Sequence, residues 1–156
     1  SSFLSNFLSS CFMTLMTRDG PLWVVFLAVG SGAALGAIVR WALSYALNPR
    51  WAMMPAGTLT ANLLGGFLIG IAVAFFADQL TSSPALRLFV VTGFLGGLTT
   101  FSTFSSENIA MLLSGEYVRA VTHAATHLVG TISMTAVGLW FYRNILRAVV
   151  MKCFGS

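Results

Sequence analysis

Residues 93–106, GFLGGLTTFSTFSS, hold most of the chain's chemically unusual side chains. Three glycines (Gly93, Gly96, Gly97) are followed by the hydroxyl pair Thr99 and Thr100. Phe101 and Phe104 then stand three positions apart, interleaved with Ser102, Thr103, Ser105 and Ser106. Apolar residues on both sides place the stretch at bilayer depth. Non-helical backbone at that depth is tolerated only where it is buried in protein or lines a wet cavity. Glycine alone would be explained by close helix crossing. The added hydroxyl residues point instead to a helix interrupted near Gly96–Thr99. An interrupted helix exposes carbonyl oxygens that suit a hard cation such as sodium, and residues 88–106 carry no acidic side chain to serve in their place.

Other residues admit two readings each. Phenylalanines at i and i+3 are ordinarily packing partners, yet their positive ring edges can also face a small anion. Asn62 is either an interhelical amide bond, contributing about 0.6–2 kcal/mol, or an amide donor to an ion. Arg40 snorkels to the interface, raises the local anion concentration at a vestibule, or does both. His123, His127 and Thr131 stand at steps of four and share a helix face. A metal site is disfavoured because no third ligand stands at suitable spacing. A proton relay is the second alternative, and satisfied polar residues along that face are the preferred reading. Glu107 is expected near the interface, hydrogen-bonded or solvated, with proton coupling as the sharper alternative. No nucleophile–base pair, phosphate loop or buried acid beside a histidine is apparent, so no enzyme is expected.

Those residues need a scaffold, and composition supplies its class. Of 156 residues, 57% are hydrophobic and 8% charged, and mean hydropathy is +0.87. That describes one polytopic membrane domain. The net charge of +4 comes from single basic residues at segment ends, which is topology chemistry rather than nucleic-acid binding. Cys11 and Cys153 make no metal or redox spacing and are read as free thiols. Residues 1–20 are expected to be an N-terminal extension, or a short interfacial helix, outside the membrane core. Residues 21–156 form the membrane domain.

Four spans are predicted, at about residues 22–47, 57–77, 85–113 and 119–142. Gly32/Gly36 and Gly66/Gly70 give close-packing faces. Four spans put both termini on one side. Five basic residues (Arg18, Arg87, Arg143, Arg147, Lys152) lie there against three opposite (Arg40, Arg50, Arg119), so insertion either way is open.

Three motifs carry a resemblance: GAALGAIVRW (32–41), GTLTANLLGGFLIG (57–70) and GFLGGLTTFSTFSSE (93–107). Over about residues 30–142 the chain resembles the CrcB/Fluc family of fluoride channels. The resemblance implies an all-α integral membrane protein of four transmembrane helices, the third broken near its middle, assembled as an antiparallel, dual-topology homodimer. It further implies a bacterial plasma or inner membrane location and export of fluoride down its electrochemical gradient. It also implies a structural sodium ion at the dimer centre that is not transported. On this chain the sodium would take the carbonyls of Gly96 and Thr99. The fluoride pathway would be Asn62, Phe101, Phe104, Ser105, His123, His127 and Thr131, with Arg40 at the vestibule. The implied partners are fluoride, the lipid bilayer and a second copy, with no nucleic acid. Two rivals are a small dual-topology, proton-coupled exporter of the multidrug type and a passive packing subunit. An exporter of that type would rely on an early membrane glutamate, and the first two spans hold no acid before Asp78.

Overall fold

The structure is a computed structural model describing residues 20–48, 55–78 and 83–154, with side chains through Met151. Residues 1–19 of the N-terminal extension, with Cys11 and Arg18, as well as Arg50 and the side chains of Lys152 and Cys153, lie outside the described residues.

Hydrocarbon offers backbone no water to bond with, so apolar segments satisfy their own amides as helices. Helix α1 is Leu22–Leu47 and α2 is Ala56–Asp78. Helix α3 covers residues 84–98, α4 is Phe101–Leu113, and α5 covers residues 117–154. Together they make four stretches long and apolar enough to cross a membrane: Leu22–Leu47, Ala56–Asp78, Pro84–Leu113 and Tyr117–Met151. The fourth was expected to end at Tyr142. Instead it passes through a π-helical turn, Tyr142–Leu146, into Arg147–Phe154. Arginine and asparagine weaken a helix little, and no glycine or proline interrupts the tail there. An ion pair from Arg147 Nε to Asp78 Oδ2, 2.9 Å, ties it to the end of α2.

The helices meet main chain to main chain. Gly32 and Gly36 of α1 press on α3, where a Cβ would collide with the backbone of Phe89, Phe94 and Leu98. Gly66 and Gly70 of α2 lie as closely on Thr131 and Thr135 of α5, and Gly138 of α5 on Phe67. Small residues let membrane helices approach in this way. Ala61, Ala72, Phe76, Leu95 and Leu98 form the buried core between α2 and α3.

Within the third span, Leu88–Leu95 is wound as a π-helix and Gly96–Leu98 makes one α-helical turn. Thr99 (φ −79°, ψ 151°) and Thr100 (φ −148°, ψ 115°) are extended, and the helix resumes at Phe101. The Thr100 hydroxyl caps the new start by accepting from the Thr103 N–H at 3.1 Å. Helix α4 then turns into α5 through Gly115, whose φ of +76° lies in the left-handed region that favours glycine.

Candidate functional site: a polar cleft at the Thr99–Thr100 segment

In an unbroken helix the Thr100 N–H would bond the Gly96 carbonyl, and the Thr103 N–H the Thr99 carbonyl. Here side chains take both donors. Thr100 N–H donates to Asn62 Oδ1 at 2.8 Å, and Asn62 Nδ2 donates back to the Thr100 carbonyl at 3.2 Å. Thr103 N–H goes to the Thr100 hydroxyl. The carbonyls of Gly96 and Thr99 are thereby released from helical pairing. Arg40 reaches across from α1, its Nε donating to the Gly97 carbonyl at 3.0 Å. The Thr99 amide and hydroxyl both donate to the Leu95 carbonyl, at 3.0 and 2.9 Å. Asn62 and Thr100 are both buried, so these bonds offset a real desolvation cost.

Beside this segment lies a cleft of about 410 Å³ between α2, α4 and α5. Five of the residues singled out from sequence line it: Asn62, Phe101, Phe104, His127 and Thr131. Thr99 and Thr100 line it as well, and the rest of the lining is apolar. Phe104 sits at the centre of an aromatic cluster. Its ring centroid is 5.4 Å from Phe101, 5.2 Å from His123 and 4.8 Å from His127. The two imidazoles are themselves 4.5 Å apart. His123 is only 1% exposed and, like Ser105, is not part of the cleft wall. Phe101 is 79% exposed on the single chain.

Two expectations are corrected here. Glu107 stands beside the histidines, supplying both the third group and the acid that spacing along α5 does not show. Its Oε2 is 3.4 Å from His123 Nε2. The Thr58 hydroxyl donates to its Oε1 at 2.5 Å. Ligand-type atoms of Glu107, His123 and His127 lie within 4.8 Å of one another. The reason is register across the α4–α5 hairpin: Glu107 and His123 each stand eight residues from Gly115. Counting outward from that glycine would have found the pair. Thr58 and Asn108 were also missed as site residues. Asn108 Nδ2 donates to the Ala120 carbonyl at 2.8 Å and faces His123 Nδ1 at 3.4 Å.

The fold and cleft define a polytopic helical membrane protein that gathers hydroxyls, amides, imidazoles and ring edges at bilayer depth. By sequence the chain belongs to the family described as CrcB-like protein, Camphor Resistance (CrcB), which matches residues 27–139. It is 56% identical over 126 residues to the fluoride-specific ion channel FluC of Cupriavidus taiwanensis, covering 81% of this chain and 98% of that one. The FluC proteins of Ralstonia pickettii and Burkholderia cenocepacia are 55% identical over 119 residues and 50% over 121. These cover 76% and 78% of this chain, and 94% of each relative.

Proposed function

We propose that this chain is a fluoride-selective channel that lets fluoride leave the cell down its electrochemical gradient, lowering cytoplasmic fluoride. The observation that carries the reading is one cleft that holds both phenylalanines together with Asn62, His127 and Thr131. It fits the function of the named relatives, which are more than half identical to this chain over the aligned residues. Fluoride is small and strongly hydrated. A route must replace its water at each step without holding it tightly. Ring edges of Phe101 and Phe104, the Thr131 hydroxyl and imidazole N–H groups are such partners, and none is a fixed cation. Arg40, half-buried on α1 with its Nε on the Gly97 carbonyl, supplies positive potential that draws anions toward the vestibule.

The working unit is an antiparallel homodimer, with the third span interrupted at Thr99–Thr100 at its centre. Gly96, Phe101 and Ser102 are exposed on the single chain, and a second copy covers them. A structural sodium ion fits the donor set. The Gly96 and Thr99 carbonyls have lost their helical partners, and oxygen ligands are what a hard cation takes. These carbonyls from both copies would hold the ion, whose positive charge joins the two interrupted helices and is not transported.

Liposomes loaded with fluoride and read with a fluoride electrode test the proposal. Rapid efflux that follows the membrane potential and needs no proton gradient is expected. Efflux that requires a proton gradient would point to an exporter, and none at all to a packing subunit.

A further inference from the structure

His127 Nε2 is buried with no hydrogen-bond partner among the described residues, while its Nδ1 faces Asn62 Nδ2 at 3.2 Å. The orientation of that carboxamide is settled by main chain. The Thr100 N–H can only donate, so the atom it meets at 2.8 Å is Oδ1, and the atom turned toward His127 is the NH₂ nitrogen. An amide N–H pointing at Nδ1 requires a lone pair there, which puts the hydrogen of the neutral ring on Nε2. The same logic holds for the second ring. The Ala120 carbonyl can only accept, so Asn108 presents its nitrogen to His123 Nδ1. Both hydrogens of the Asn62 amide are committed, one to the Thr100 carbonyl and one to His127.

We infer that Asn62 is a positioning residue that holds His127 as its Nε2–H tautomer, so that the imidazole, rather than the carboxamide, is the hydrogen-bond donor presented to the ion. The inference rests on the fluoride-channel reading and goes beyond it in assigning the donor atom. His127 lines the cleft, and its Nε2–H has no protein acceptor to leave when fluoride arrives. A neutral N–H suits a conducting site, since it offers a strong partner to an anion without the binding of a fixed cation. Asn108 fixes His123 in the same sense behind it. In the Glu107–His123–His127 cluster, although it is close enough for a metal ion, the two imidazoles thus offer N–H groups at Nε2, that of His123 facing the Glu107 carboxylate at 3.4 Å.

The test uses the full chain in lipid, labelled with ¹⁵N-histidine, at mildly alkaline pH where imidazole is neutral. Nitrogen spectra then report the tautomer whether or not ions pass. Both rings are expected as Nε2–H. In Asn62→Asp one carboxylate oxygen still accepts from Thr100 while the other faces Nδ1. The His127 proton is then expected to move to Nδ1. Fluoride efflux of His127→Phe should fall about 10- to 100-fold, the contribution of one hydrogen bond to a charged group. His127→Gln, whose amide nitrogen falls near the Nε2 position, should recover most of that loss. A conducting wild type with His127 as Nδ1–H overturns this assignment alone. A wild type that passes no fluoride overturns it together with the channel reading.

Discussion

Replacing Phe101 and Phe104 by isoleucine, one at a time, separates the conducting role of the pair from its structural role. Phe104 makes three ring contacts, with Phe101, His123 and His127, at centroid distances of 4.8–5.4 Å. Each aromatic contact contributes about 0.5–1.5 kcal/mol beyond its buried area. Losing all three costs about 2–4 kcal/mol of subunit stability. Phe101 makes one such contact and is 79% exposed on the single chain, so its replacement costs the subunit about 1 kcal/mol or less. If ring edges carry the ion, both variants lose fluoride efflux by tenfold or more. Only Phe104→Ile should also lower the temperature at which the detergent-solubilised chain loses its monodisperse chromatographic peak. Efflux at the wild-type rate in both variants would refute the ring-edge mechanism, and equal melting of the two would refute the packing account.

Gly138→Ala should destabilise the fold by about 1–3 kcal/mol, because the added methyl meets the Phe67 backbone, whereas Gly30→Ala has open space and should be neutral or slightly stabilising. Paired thermal melts check this. Thr100→Val removes the hydroxyl that caps α4 and takes the Thr103 N–H. It should cost about 1 kcal/mol and reduce efflux through a less ordered cleft. Exchanging sodium for potassium or an organic cation should weaken the dimer, measured as monomer released on dilution in detergent. Indifference of the dimer to every cation would remove the carbonyl site of Gly96 and Thr99.

The scaffold was largely legible because lipid makes simple demands. The first span, read at residues 22–47, has those bounds in the structure. It begins where Pro21 cannot continue a helix backwards and runs uncharged from residue 22 to 39, with Arg40 its one charged side chain. The glycine pairs were readable for a similar reason, since small residues four apart have few other uses. The end of α5 was not, because the basic tail looked like a terminus and is good helix sequence. Among site residues, Asn62, His127 and Thr131 stood out as polar groups in apolar surroundings, and they do share a cleft with both phenylalanines. Glu107 with Thr58, and Asn108 with His123, escaped because their meaning lies in partners on other helices. Spacing along one helix cannot report those partners. The tautomers follow from the fixed polarity of two main-chain groups, which no sequence pattern encodes.

The glycine contacts of Gly32 and Gly36 with α3, and of Gly70 and Gly138 between α2 and α5, set peptide directly against peptide. Sliding one rod past another normally relies on side chains that rearrange between them, and at these crossings there is no such cushion. The frame around the cleft is therefore stiff, and whatever adjusts as an ion goes by is confined to rotating hydroxyls and rings.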